Sequence, residues 1–120
     1  MKQLSGTRVL LVEDEPIIAL DHADRLAAQG AEIVGPFAAS NEAIRELGKQ
    51  DVDVAVIDFV LSDRNSLELQ EELKRRHVPF VVVTAYPKVL VRGDTEQRVL
   101  GKPVSSEELC ATVRLASAAK

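Results

Sequence analysis

Apolar residues fall along this chain in two rhythms. Val9-Leu10-Leu11-Val12, Val52 to Ile57 and Phe80 to Val83 are short runs with almost no polar interruption. Runs of that kind suit strands covered on both faces, as in a parallel sheet. Ala31 to Val34 and Arg98 to Leu100 are fainter strand signals. Between the runs the apolar spacing lengthens to three and four residues. After Pro16, which fits a first helical turn, Ala19, Leu20, Ala23, Leu26 and Ala27 share one helical face, Ile18 falls off it, and Gly30 is a stop. Ser40 to Leu47 predicts a second helix with Ala43, Ile44 and Leu47 inward. Leu67 to Arg76 predicts a third, with Leu69 and Leu73 one turn apart and a basic end that suits a helix C-terminus. Ser105-Ser106-Glu107-Glu108 reads as a capping box opening a last helix that buries Leu109, Val113 and Ala116.

Strand and helix therefore alternate, which predicts an α/β fold: a doubly wound, five-stranded parallel sheet with helices on both faces. In such sheets ligands meet the loops at the carboxyl ends of the strands. With 120 residues, a single domain over 5–120 is expected, and no internal repeat, linker or output domain is visible. Aromatics are scarce, three Phe and one Tyr, so Val, Ile, Leu and Ala must build the core. A formal charge of −4 argues against nucleic-acid binding by charge alone. One cysteine, Cys110, excludes an internal disulfide and a Cys-rich metal site, and it reads as a packing residue of the last helix. His22 and His77 fall in a helix and a helix-end loop with no metal-ligand pattern around them. The first six residues lack a signal-peptide run, and no apolar stretch approaches the roughly 20 residues of a membrane span. A cytoplasmic protein with no membrane partner is expected.

The chemistry gathers where apolar runs end. The first strand delivers Glu13, Asp14 and Glu15, the third Asp58, the fourth Thr84, and the fifth Lys102 before Pro103. Neighbouring strands lie about 5 Å apart, so these groups converge on one crevice. Clustered carboxylates repel and raise one another's pKa. A hard cation removes that conflict, and all-oxygen ligands select Mg²⁺ or Ca²⁺ over zinc. Lys102 adds a compact positive charge and Thr84 a hydroxyl, which together suit the handling of a phosphoryl group. Taken singly, each residue has an ordinary reading: a helix-dipole acid, a turn aspartate, a strand end, a solvated lysine. Four residue types on four strands at one sheet edge argue for a site.

Val9-Leu10-Leu11-Val12-Glu13-Asp14-Glu15-Pro16, Val56-Ile57-Asp58, Val82-Val83-Thr84-Ala85 and Gly101-Lys102-Pro103 resemble, in that order, the receiver domain of bacterial two-component response regulators. The resemblance covers essentially the whole chain and implies the strand order 2-1-3-4-5. It implies that Asp58 is the phosphoacceptor, taking a phosphoryl group from a phosphohistidine on a sensor histidine kinase or phosphotransferase. It further implies that Glu13, Asp14, Asp58 and the backbone carbonyl of Val60 hold Mg²⁺. Lys102 would pair with the phosphoryl oxygens, and the Thr84 hydroxyl would move to bond one of them. Such a protein modifies itself and loses the group slowly; it is not an enzyme with a separate substrate. Its output would come through a separate effector protein or by draining phosphate from a shared kinase. Receivers also pair through their last strand and helix, so a homodimer stands beside the monomer.

Departures from the family pattern narrow the resemblance. Val99 stands where a switch aromatic is common, while Tyr86 follows Thr84 by two residues. That arrangement resembles an atypical alphaproteobacterial subgroup of stand-alone and stress-response receivers with a Phe-Ala-Thr-Gly-x-Tyr motif, and it makes Tyr86 the switch candidate. Pro87, Gly93 and Asp94-Thr95-Glu96 interrupt the interval before Lys102, so the usual fourth helix is expected to be short or poorly ordered. The loop after Asp58 lacks the family's frequent proline and glycine, and Asn65 can tolerate a left-handed conformation where glycine would be expected. Two other functions compete. An aspartate-based phosphatase wants a second carboxylate two residues after its nucleophile, where this chain has Val60. A protein-binding pseudo-receiver that works without phosphorylation is the alternative, and retention of the acidic site speaks against it.

Overall fold

The computed structural model describes residues 2–61, 65–85 and 98–118. Among them five strands and four helices follow one another: β1 (Arg8–Val12), α1 (Pro16–Ala28), β2 (Glu32–Phe37), α2 (Ser40–Leu47), β3 (Val54–Asp58), α3 (Leu67–Arg75), β4 (Phe80–Thr84), β5 (Arg98–Gly101) and α4 (Ser106–Ala118). All four strand pairings are parallel, and the order is β2-β1-β3-β4-β5. This is the doubly wound sheet that the unbroken apolar runs predict. Residues 86–97, where a short or poorly ordered helix is expected, lie outside the described residues, as do Tyr86 and positions 62–64.

Strand periodicity divides the core in two. Val9, Leu11, Val54, Val56, Val81 and Val83 face Leu26 of α1 and Leu109, Val113 and Ala116 of α4. Leu10, Val12, Ala55, Ile57 and Val82 face Ala43 and Leu47 of α2 and Leu69 and Leu73 of α3. Each fully buried Val, Leu or Ile contributes about 1.5–3 kcal/mol relative to exposure, so the central strands anchor both layers. An Arg76 guanidinium nitrogen donates to the Leu47 carbonyl at 2.9 Å and ties the end of α3 to α2.

The helix ends follow local rules. Gly30, at φ +94°, closes α1: its N–H bonds to the Ala27 carbonyl, and the Ala31 N–H reaches back to Leu26. A Cβ at Gly30 would lie 2.8 Å from the Ser5 hydroxyl oxygen, so the stop also permits a close approach. His77, at φ 58°, closes α3 by the same pair of bonds, His77 N–H to Lys74 and Val78 N–H to Leu73. At the start of α4 the Glu108 N–H donates to the Ser105 hydroxyl at 3.0 Å, the expected cap.

Two expectations need correction, and one tolerance is not used. On α1 the buried line is Ala19, His22 and Leu26, with Ala23 half-buried; Leu20 is 61% exposed, Ala27 is exposed and Ile18 is half-buried. Ile17 to Leu20 are all apolar and mark no single face; Ala19, Ala23 and Leu26 keep their expected places, and His22 turns inward instead of Leu20 and Ala27. The second strand begins at Glu32 and runs on through Gly35-Pro36 to Phe37, because its register against β1 shifts between Leu10 and Val12 and absorbs the interruption. Asn65 is not left-handed; His77 is the non-glycine residue with positive φ among those described. Asn65 works through its side chain, whose Oδ1 accepts the Leu67 N–H at 3.0 Å and starts α3.

Candidate functional site

Register brings the strand ends level. Val12 lies opposite Ile57, Asp58 opposite Val83, and Thr84 opposite Gly101. The residues at or just after those positions therefore share the carboxyl edge of the sheet. Glu13 leaves β1 with its N–H on the Phe37 carbonyl at 2.8 Å, and Asp58 is the last residue of β3 rather than the first after it. The Lys102 N–H donates to the Thr84 carbonyl at 2.8 Å, which extends the β4–β5 ladder by one bond and fixes where the lysine starts.

The side chains then meet. The Lys102 ammonium lies 3.1 Å from Asp58 Oδ2 and 3.3 Å from Glu13 Oε1. Glu13, Asp14 and Asp58 each bring a carboxylate oxygen within 4.8 Å of the others. Asp58 Oδ1 accepts the Val60 N–H at 3.4 Å, and Glu13 Oε2 accepts the Glu15 N–H at 3.2 Å. Glu13 and Asp58 are only 4% and 6% exposed, and Asp14 is half-buried. Thr84 is buried at the end of β4, one strand from Asp58. Glu13, Asp14, Asp58, Thr84 and Lys102 are thus brought to one edge, and the main chain of Val60 lies against the acceptor candidate. Tyr86 falls outside the described residues.

The electrostatics are unbalanced. Burial, the contact with Asp58 and the Asp58 charge push the Glu13 pKa from 4.5 to about 7, against the opposing pull of the Glu15 N–H and Lys102. Burial alone would lower the Lys102 ammonium, but its bond to Asp58 and the charges of Asp58 and Glu13 outweigh that and hold it above the ordinary lysine value. Three carboxylates against one ammonium leave negative charge uncompensated, and only oxygen donors are present. That donor set fits a hard divalent cation such as Mg²⁺.

His22 belongs beside this site and was not singled out by sequence. Its imidazole is 4% exposed and lines a cavity between α1 and the loop after β5, together with Lys102. The signal lay in its spacing, three residues after Ala19 and four before Leu26, masked by the apolar Leu20 on the competing stripe.

No helix among the described residues is long and apolar enough to cross a membrane. Comparison with known proteins matches residues 9–114 to the response regulator receiver domain. A transcriptional regulatory protein of Mycobacterium tuberculosis, PdtaR, is 31% identical over 91% of this chain and 56% of its own length. Among solved structures, the response regulator PhyR from Brucella abortus has a TM-score of 0.85 at 27% identity, over 96% of this chain and 49% of that one. The receiver domain of Erythrobacter litoralis PhyR has a TM-score of 0.83 at 28% identity, over 93% and 90%. The chain spans about half the length of the curated relatives it matches. A match that runs from the first strand into the last helix takes in the whole sheet and its acidic edge, and the chain belongs to the receiver domains of two-component response regulators.

Proposed function

We propose that this receiver is a phosphoacceptor of a phosphorelay, with Asp58 as the acceptor. A carboxylate oxygen of Asp58 attacks the phosphorus of a phosphohistidine on a sensor histidine kinase or phosphotransferase. The P–N bond breaks, its electron pair stays with the donor imidazole, and an acyl phosphate forms on Asp58. The single observation that carries this reading is the Lys102 ammonium bridging Asp58 at 3.1 Å and Glu13 at 3.3 Å in a pocket of excess negative charge. Lys102 offsets charge on the incoming phosphoryl oxygens and orients the nucleophile. Glu13, Asp14, Asp58 and the Val60 carbonyl are the residues that would hold Mg²⁺. When bound, that ion supplies charge neutralisation for the carboxylates and the transferring group. The Thr84 hydroxyl bonds a phosphoryl oxygen in the product and carries the conformational signal, with Tyr86 as the aromatic that follows it.

Val60, two residues after Asp58, offers no acid for a phosphatase cycle, so the protein acts on itself and turns over no separate substrate. Signalling then runs through a separate cytoplasmic effector, through a second copy of the chain, or by withdrawing phosphate from a shared kinase. Intact mass after incubation with acetyl phosphate, with and without Mg²⁺, tests the chemistry. One added phosphoryl group that depends on Mg²⁺ and is absent from Asp58→Asn is expected. Labelling of Asp58→Asn to the same extent overturns the assignment. Failure of both acetyl phosphate and beryllofluoride, the latter followed by NMR shifts, would make the chain a phosphorylation-independent binding module.

A further inference from the structure

The cavity beside Lys102 takes no part in the acceptor chemistry described above. It holds about 320 Å³ between α1 and the loop after β5. Ile18, Asp21, His22 and Arg25 line it from the helix, and Lys102 and Val104 from the loop. His22 sits on the inward line of α1, where Ala19, Ala23 and Leu26 supply only apolar groups. A buried imidazole on such a line needs a reason.

The groups around it supply one. From β1 the side chains turned toward this layer are Val9 and Leu11, and from β2 Ile33, none of which titrates. From α4 the nearest titratable group is Cys110, whose Sγ lies 3.8 Å from the Arg25 carbonyl oxygen; burial pushes its thiol up, so it is neutral. The charges acting on the imidazole are Asp21 and Arg25 of its own helix, Lys102 of the loop and Asp58 of β3. Burial is the largest influence and holds the imidazole below the ordinary histidine value; Arg25 and Lys102 act with it, Asp21 and Asp58 against it. Asp21 and Arg25 are bound to each other, Arg25 Nε to Asp21 Oδ2 at 2.9 Å, so their fields largely oppose. The smaller remaining influences are Lys102, which shares the cavity with the imidazole, and Asp58, the two groups an acceptor reaction alters.

We propose that His22 is a proton acceptor coupled to the acceptor site: the imidazole in this cavity takes a proton from solvent when Asp58 carries its phosphoryl group and returns it when the group is lost. The inference rests on the reading of Asp58 as phosphoacceptor. Phosphorylation adds about one negative charge at Asp58, and it draws the Lys102 ammonium onto the phosphoryl oxygens. Both changes favour the imidazolium. By linkage the effect is reciprocal, so acidification through the range where His22 titrates strengthens the phosphorylated state.

The test is an NMR titration of the imidazole resonances in Mg²⁺-saturated protein, with and without beryllofluoride as the phosphoryl mimic. His77, closing α3 at the opposite edge of the sheet, is the internal reference. The midpoint for His22 is expected to rise by about half a pH unit on beryllofluoride binding, the size of one added charge acting across a wet protein interior. His22→Leu, which fits the apolar line of α1, is expected to bind beryllofluoride but to lose the matching roughly threefold gain in affinity on acidification. If the Thr84 and Val60 resonances report binding while the His22 midpoint stays with the reference, the coupling is wrong. The same holds if His22→Leu keeps the full pH response. Absence of any beryllofluoride binding would overturn the acceptor reading and this inference with it.

Discussion

The two edges of the sheet carry charge in opposite ways. At the amino edge Arg8 sits among acids and is fully answered. Its Nε pairs with Glu32 at 3.2 Å, one terminal nitrogen donates to the Asp51 carbonyl at 2.7 Å, and the other bonds the Gln50 side chain. Its own N–H is taken by Asp53 Oδ2 at 2.8 Å. At the carboxyl edge Glu13 and Asp58 share one ammonium with Asp14 close beside them, and Glu13 rises to about 7. A polar cluster that satisfies itself holds the fold together; one whose buried acids outnumber its cations suits a cationic ligand. The presence of acids alone does not separate the two edges, since Arg8 also has two carboxylates against it, those of Glu32 and Asp53.

Substitution should break this comparison at the carboxyl edge first. Asp58→Asn is expected to abolish phosphoryl uptake, read by intact mass. It should also make the protein more stable at neutral pH without Mg²⁺, because two of the three influences that raise Glu13 come from Asp58. Lys102→Ala removes the cation that touches Asp58 among the described residues and should slow phosphorylation by acetyl phosphate roughly 10²-fold, with Mg²⁺ still bound. Its Thr84 amide should no longer shift with beryllofluoride as the wild type does.

A pH series sharpens the contrast. Folding raises the Glu13 pKa from 4.5 to about 7, so between those values the native state keeps a proton that the unfolded chain has lost. The stability given by that proton is complete below about 4.5 and gone above about 7. Thermal unfolding in EDTA should therefore show a loss of at most about 3 kcal/mol across this window, reduced by screening at the open mouth of the cleft. Saturating Mg²⁺ should recover it at the high-pH end. A flat profile in EDTA would mean that the carboxylates are not in conflict. Arg8→Ala is the smallest expected effect: about 1 kcal/mol in chemical denaturation, with Mg²⁺ affinity and phosphoryl uptake unchanged.

Much of this was legible in order of residues alone, and the reasons are physical. Strands buried on both faces must be apolar throughout, so their ends are marked by the first charged residue, and that residue is by construction at the sheet edge. Glu13 and Asp58 were readable for that reason, and Thr84 because a hydroxyl ends an otherwise apolar run. Lys102 follows β5, a half-buried edge strand that opens on Arg98, and was readable only as the charge before Pro103. The facing of α1 was readable in part: Ala19, Ala23 and Leu26 turn inward as expected, while His22 takes the inward place given to Leu20, because Ile17-Ile18-Ala19-Leu20 is apolar on every side and does not mark one face. The left-handed conformation open to Asn65 is not used; its side chain accepts the Leu67 N–H at the start of α3 instead. The second strand was cut short because Gly35-Pro36 looks like a breaker, whereas pairing along β1 carries the chain through it.

The bond from the Lys102 N–H to the Thr84 carbonyl has a consequence of its own. It joins the ammonium-bearing and hydroxyl-bearing residues through atoms that every non-proline sequence possesses. Side chains at either position can therefore be replaced without removing the bond that holds the two strand ends together. An amide-to-ester replacement at position 102 would disturb the mechanics while leaving every side chain in place.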